Sequence, residues 1–376
     1  MQAEHRAFAA STNDFGFRLL ADLVSVQQGK TVLVSPFSIA AALAMTYNGA
    51  AGATAAEMAA TLGWQALDLA AINAGAQALT AELLAADPAV TLHIANSLWP
   101  DNTFALNADF AARVGVAYAA GVAPIDYRDA AAAADIINAW VAAQTAHMIT
   151  NLLTPGDLAN AVMALVNAIY FKGAWSHPFD LRHTAPRSFH KPDGSAVTAQ
   201  FMQQMRSWQY GQVDGVDLVW LPFGAGRLGM LLALPPVDMA LAAFHANMYA
   251  ATWARWMEAV DEVLGTVTLP RLSLRVHADL VAPLKRMGMG LPFTAAADFR
   301  NMGDGPLLIS KVVHEVKLEV NEIGAEAAAA TAVVMGRSIA MPRFNLLFDR
   351  PFFSAIYDIA SDAILFAGYI CAPADN

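Results

Sequence analysis

Cysteine is nearly absent from this chain: Cys371 is the only one among 376 residues, so no disulfide can form within it. Charge is scarce too. Asp, Glu, Lys and Arg make up 14% of the sequence, and 22 basic against 32 acidic residues leave a formal charge of −10. The basic residues are scattered and never form a run. That excludes nucleic acid as a partner, because phosphate binding needs clustered cations. No stretch of eighteen or more strongly apolar residues occurs, so no membrane span is expected. Met1 to Ala10 lacks the basic segment and long apolar run of a signal peptide. One cysteine fits a cytosolic protein and an exported bacterial one alike; an extracellular or periplasmic place is favoured.

Metal and cofactor chemistry is equally thin. The histidines show neither H-x-x-x-H nor H-E-x-x-H spacing, so no metal site is expected. No G-x-S-x-G elbow is present. Gly224-Ala225-Gly226-Arg227-Leu228-Gly229 fits the dinucleotide pattern, but that pattern needs a helix opening at the glycines. Here Met230 to Leu234 follows and Pro235-Pro236 ends it, which reads as strand, turn, strand. No cofactor is expected. Cys371, inside the apolar run Ile364 to Ala372, reads as a buried inert thiol.

What is present is apolar. Hydrophobic residues make up 57% of the chain, enough for a sizeable core. No linker, charge block or repeat divides it, so residues 1–376 read as a single domain. Helical periodicity dominates early. Phe15, Leu19, Leu20 and Leu23 recur at helical spacing, and Ser35-Pro36 opens a second helix through Tyr47, Ser35 as its cap. Thr54-Ala55-Ala56-Glu57 has the form of a capping box. Ala130 to Thr145 is expected to place Ile136, Ile137, Trp140 and Val141 on one face. Later segments read as strands: Val162 to Phe171, Val216 to Leu221, Gly229 to Leu234, Thr266 to Leu274, Lys311 to Val320, and Ala363 to Ile370. Helices first and strands later indicate an α+β fold.

The segment Glu319 to Pro351 holds the most information. Its alanine run is a helix former by propensity. Read with period two, Ala325, Ala327, Ala329, Thr331, Val333 and Met335 share one uncharged, mostly small face, with Glu326, Ala328, Ala330, Ala332 and Val334 on the other. Both readings stand on composition alone. The segment resembles the hinge and reactive-centre loop of the serpins, whose hinge reads E-x-G-x-E-A-A-A-A-T. The match falls at Glu322, Gly324, Glu326, Ala327, Ala328, Ala329, Ala330 and Thr331. Ser35-Pro36-Phe37-Ser38-Ile39 resembles the family's helix B. Asn167 to Trp175, followed by Phe179, resembles its sheet A strand and breach. Leu221-Pro222-Phe223, Leu269-Pro270-Arg271, Asp349-Arg350-Pro351-Phe352 and Phe366-Ala367-Gly368 follow in family order, so the likeness runs from about residue 10 to 373. Two departures are Ala325 for the hinge's usual Thr, and Thr145-Ala146-His147-Met148-Ile149 for T-x-G-K-I.

The resemblance implies a serpin fold: helices plus three β-sheets, with an exposed reactive-centre loop at about 322–345. The implied protein is no enzyme but a bacterial-type, metastable suicide substrate of serine proteases. It would trap the acyl-enzyme as a covalent complex by inserting the cleaved loop into sheet A. A monomer is expected. The hinge would comprise Glu322, Gly324, Ala325, Glu326, Ala327 to Ala330 and Thr331. Ser35, Ser38, Asn167 and His314 would form a polar shutter under sheet A, and Trp175 and Arg271 would lie at the breach, Arg271 pairing with Glu322. The reactive bond is placed at Arg337–Ser338, which suits a trypsin-like protease. The stretch from Glu322 to Arg337 is one residue shorter than usual in the family, so Ser338–Ile339, with an elastase-like target, is the alternative; Ala340–Met341 is a third choice. A serpin fold without inhibition, acting as a binding or chaperone-like protein, is the other function class.

Overall fold

The structure, a computed structural model, describes residues 3–323 and 341–374. Its helices are α1 (Ala3–Val26), α2 (Pro36–Tyr47), α3 (Gly52–Leu62), α4 (Leu69–Leu84), α5 (Ala108–Tyr118), α6 (Ala130–Gln144), α7 (Leu241–Ala246), α8 (Ala250–Glu258) and α9 (Val281–Arg286). The first eight strands are β1 (Val32–Val34), β2 (Val90–Pro100), β3 (Ala105–Leu106), β4 (Gly121–Val122), β5 (Met163–Gly173), β6 (Thr184–His190), β7 (Ala196–Val213) and β8 (Val216–Pro222). The rest are β9 (Leu228–Leu234), β10 (Asp261–Pro270), β11 (Leu272–Asp279), β12 (Gly303–Asp304), β13 (Lys311–Val320), β14 (Phe344–Leu347), β15 (Phe352–Asp358) and β16 (Ala363–Ile370).

Among the described residues the strands form three sheets. A five-stranded sheet runs β11-β13-β5-β2-β4, a nine-stranded one runs β1-β16-β15-β9-β8-β7-β10-β14 with β6 paired to β7, and β12 pairs β3. Helix α2 lies between the two larger sheets, touching β2 and β5 on one side and β16 on the other. Ser35 starts it by accepting from the Ser38 N–H at 3.2 Å, and Pro36 sits where a missing N–H costs nothing. Residues Pro36 to Thr46 are all buried, so this helix is enclosed on every side, with Ser38 and Thr46 its only polar side chains in that stretch. The other face of the five-stranded sheet is covered by α6. There Ile137 and Val141 pack with Ala95, Ala164, Val166, Ala168 and Val313. The small side chains on the sheet let the helix approach closely.

Several expectations need correcting. Ile136 does not share the buried face of α6; it is exposed, since it lies 100° around the helix from Ile137. Thr54 and Glu57 do not form a capping box. Helix α3 begins at Gly52, so Thr54 falls inside the first turn and its hydroxyl accepts from Asp298 N–H at 2.9 Å. Glu57 instead accepts from the Gly290 and Leu291 N–H groups at 2.8 and 2.7 Å. The expected strand Thr266 to Leu274 is two strands. Pro270 ends β10 in the nine-stranded sheet, and Leu272 starts β11 in the five-stranded one. Strands β2 and β7, long and with polar residues on both faces, have no counterpart among the expected strands. The Gly224 to Gly229 stretch, by contrast, is as expected: it carries the turn from β8 into antiparallel β9 and opens no helix. Gly224, at φ 49°, packs against the Asp87 carboxylate where a Cβ would stand 2.3 Å away, and Ala225 N–H donates to that carboxylate at 2.6 Å.

After α6, Thr145 is buried and its hydroxyl accepts from Ile149 N–H at 3.2 Å. Ala146 and His147 take left-handed φ values of 48° and 61° where the family pattern has a glycine nearby. The buried Cys371 thiol is pushed up to about 11 by desolvation, consistent with an inert group.

Candidate functional site

Two strands decide the geometry. β13 pairs with β5 in parallel, His314 opposite Asn167 and Leu318 opposite Phe171, while β11 and β2 flank them antiparallel. Parallel pairing means β13 ends at the same edge where β5 ends. A chain leaving Val320 and turning back would run antiparallel to both neighbours. Among the described strands of this sheet, only between β13 and β5 would such a chain be antiparallel to both neighbours.

Beneath that pair the structure brings Ser35, Ser38, Asn167 and His314 together. His314 is fully buried, and its Nε2 accepts from the Ser35 N–H at 3.1 Å. An accepting Nε2 carries no proton, so Nδ1 holds it and donates to Asn167 Oδ1. The Asn167 amide donates in turn to the Ser38 carbonyl at 3.1 Å, to the Ser38 hydroxyl and to Asn96 Oδ1. Desolvation, with a smaller repulsion from His277, pushes the imidazole down to about 3. It is neutral at pH 7. Sequence reasoning missed Asn96. It sits opposite Asn167 in the unanticipated strand β2, so only its register reveals the role.

At the upper edge, where β13 ends, Glu322 is 3% exposed. Arg271 reaches both its carboxylate oxygens through Nε at 2.9 Å, and its Nη2 lies 2.7 Å from Oε1. Arg271 owes this position to the corner between β10 and β11, where its N–H is held by Gln200 O at 2.8 Å. Thr184, not foreseen from sequence, donates its hydroxyl to Glu322 at 2.6 Å. Burial raises the carboxyl, but the hydrogen bonds from Arg271 and Thr184 outweigh it and hold the group below its ordinary value. Trp175 completes the edge. Its indole donates to Asn321 O at 2.8 Å, its N–H donates to Ile323 O at 3.3 Å, and its ring stacks on Phe223 at 4.5 Å. Phe179 N–H donates to Glu322 O at 2.8 Å.

Gly324, Ala325, Glu326, Ala327 to Ala330 and Thr331 lie outside the described residues, as do Arg337, Ser338 and Ile339. The chain resumes at Met341, which is exposed, and Arg343 N–H is bonded to Leu264 O before β14 pairs parallel to β10. The two ends of the intervening segment are thus anchored to different sheets. Among the described residues no cluster of three or more His, Cys, Asp or Glu is placed to hold a metal, and no helix is long and apolar enough to cross a membrane.

The family model described as Serpin (serine protease inhibitor) matches residues 10–373. The chain belongs to the serpin family. Leukocyte elastase inhibitor of Bos taurus is 33% identical over 97% of this chain and 99% of its own. Plasminogen activator inhibitor 1 of Mus musculus is 30% identical over 99% and 94%. Among solved structures, human thyroxine-binding globulin complexed with thyroxine superposes with a TM-score of 0.90, at 28% identity over 99% of this chain and 100% of that one. The helices and mixed sheets described above are the serpin fold. Serpins of the inhibitory kind act on proteases rather than as catalysts.

Proposed function

We propose that this serpin is an irreversible suicide-substrate inhibitor of serine proteases. The observation that carries the reading is the parallel β13–β5 pair with Glu322 clamped at its mouth. It is a slot whose strand directions suit the segment that follows. The proposal takes 1–376 as one monomeric domain with the reactive loop at about 322–345; its main core cluster draws on residues from Phe8 to Ile370, with a second, smaller one under α6.

A target protease's serine oxygen attacks the carbonyl carbon of Arg337. The bond to the Ser338 nitrogen breaks, that nitrogen leaves as an amine protonated by the protease's histidine, and an ester links Arg337 to the protease. Cutting frees one of the two anchored ends. The hinge can then enter between β13 and β5, exchanging one parallel pairing for two antiparallel ones. Roughly ten new ladder hydrogen bonds at about 0.5–1.5 kcal/mol each give on the order of 10 kcal/mol. That is comparable to a domain's stability and large enough to drag and distort the attached protease before the ester hydrolyses. Arg337 is the only cation between Glu322 and Pro342, and a long cation fits an acidic specificity pocket.

The test is incubation with trypsin, denaturing electrophoresis, and mass spectrometry of the released C-terminal peptide. A stable complex and a peptide beginning at Ser338 are expected. A peptide beginning at Ile339 moves the target to elastase-like proteases, in keeping with the bovine relative's name, and one beginning at Met341 overturns the assigned bond. The likeness to thyroxine-binding globulin favours a second reading, a serpin-fold binding protein. Cleavage by every protease of a panel with no stable complex would select it.

A further inference from the structure

The segment joining α6 to β5, residues 145–162, lies against the five-stranded sheet. Its Ile149, Leu152, Leu153 and Leu158 belong to the same buried cluster as Ala164, Val166 and Ala168 of β5 and Val313 of β13. Part of it is stapled to α6. Asn138 Oδ1 accepts from the Leu152 and Leu153 N–H groups at 2.9 Å each, and the Asn138 amide donates to Leu153 O at 2.8 Å. Helix α6 rests on β2, so Leu152 and Leu153 are tied to the β5–β2 half of the sheet.

One residue earlier, the segment is gripped from the other half. Arg275 of β11 donates through Nη2 to Asn151 O at 2.9 Å. The same guanidinium donates through Nε to Glu315 Oε1 of β13 at 2.7 Å and through Nη2 to Oε2 at 3.3 Å. Glu315 is buried, so a fixed carboxylate sets the direction of the guanidinium. The strand order is β11-β13-β5-β2. A segment held by β11 at Asn151 and continuing into β5 at Met163 must therefore cross the β13–β5 seam.

We propose that Arg275 is the latch of this brace, a positioning residue that sets how fast β13 and β5 part. The inference rests on the reading of that seam as the slot for the hinge. When the seam opens, β11 and β13 move together, joined by their ladder and by the Arg275–Glu315 pair. Asn151 is drawn with them, while Asn138 keeps Leu152 and Leu153 on α6. Adjacent residues cannot follow both halves, so one grip has to let go. Asn138 holds by three hydrogen bonds, whereas Asn151 O is held by one, from a half-exposed guanidinium. The Arg275 bond to Asn151 is the one that yields, and it adds to the barrier that keeps the seam shut.

Arg275→Lys separates the latch from the buried pair. A lysine nitrogen sits about where the guanidinium carbon stood, so it keeps a charge beside Glu315 but falls one bond short of Asn151 O. The probe is a synthetic acetylated peptide copying residues 324–337, mixed with the full intact chain, its uptake into the seam followed by native electrophoresis. Arg275→Lys should keep the urea transition of the wild type and take up the peptide at least threefold faster. Arg227→Ala, which weakens the protein far from the seam, should take it up within twofold of the wild-type rate. An unchanged rate in Arg275→Lys, an equal acceleration in Arg227→Ala, or no uptake by any of the three proteins would each overturn the latch. Incubation of the wild type with a protease panel keeps the two ideas apart. A stable protease complex beside an unchanged peptide rate in Arg275→Lys removes the latch and leaves the inhibitor; a faster peptide rate with no complex supports the latch and removes the inhibitor.

Discussion

His314 and Asn167 face each other across the parallel β13–β5 pair, and the imidazole donates to the Asn167 carbonyl oxygen. A strand entering between β13 and β5 must break that bond. Replacing His314 with Ala leaves Asn167 Oδ1 and the Ser35 N–H buried and unpaired, a loss of about 2–4 kcal/mol. Faster polymer formation on native gels, or faster conversion to an inserted form, is expected on mild heating. Unchanged heat behaviour without polymers would sink the shutter role.

The same residue predicts a pH response. An ordinary histidine titrates near 6.5, and His314 in the fold is down at about 3. Between these values the unfolded chain binds the proton that the folded chain refuses. Stability is therefore intact above about pH 6.5 and falls as pH drops toward 3, at up to about 1.4 kcal/mol per pH unit. Glu322, held below its ordinary value, loses its contribution in the same direction on acidification. The measurement is the rate of heat-induced polymerisation at several pH values from 7 to 4, in wild type, Glu322→Gln and His314→Gln. A slope that persists undiminished in His314→Gln would assign the response elsewhere.

Arg271 and Glu322 should be energetically coupled. Arg271 is about two-fifths exposed while Glu322 is almost fully buried, so removing Arg271 strands a buried carboxylate. In a double-mutant cycle on the rate of loop insertion, coupling of about 1–3 kcal/mol is expected, with Thr184→Val showing a smaller effect. No coupling would reduce the pair to a surface contact.

Ala325→Arg puts a charge on the hinge face that must become buried on insertion, and an unpaired buried charge is very costly. The variant should be cleaved normally by the target yet form no stable complex. Inhibition at wild-type stoichiometry would rule out insertion as the mechanism.

Arg227 and Asp358 form a bidentate pair at 2.8 Å, with Asp358 fully buried. Arg227→Ala should destabilise the protein by about 3 kcal/mol, read as an earlier urea transition. It lies in the β8–β9 turn, away from the hinge, so protease trapping at 25 °C should survive.

Where one apolar run formed one buried element, the residues alone set its limits: α2, Lys311 to Val320 and Ala363 to Ile370 fall where expected. β2 and β7 escaped because His93 in β2 and Gln203, Gln204 and Gln209 in β7, the last three spread over both strand faces, sit at positions the pairing leaves partly or wholly solvated, which blurs the apolar alternation. Thr54 and Glu57 have the right spacing for a local cap, but tertiary donors from Asp298, Gly290 and Leu291 take both side chains instead. At the candidate site, Ser35, Ser38, Asn167, His314, Trp175 and Arg271 were legible through the family likeness alone. Asn96 and Thr184 have no local pattern: Asn96 is placed by its register opposite Asn167 in β5, and Thr184 by the approach of β6, from the other sheet, to Glu322.

The parallel β13–β5 pair also shapes how the chain reaches this state. His314 and Asn167 are 147 residues apart. Closing so long a loop is slower than letting β13 fold back on the residues that come directly after it. β5 leaves the ribosome long before β13, so in the order of synthesis its parallel partner arrives late. Assembly is in that sense a race the distant strand has to win, and any substitution that delays the meeting of β5 and β13 would divert product toward the local hairpin without altering a single contact of the finished protein.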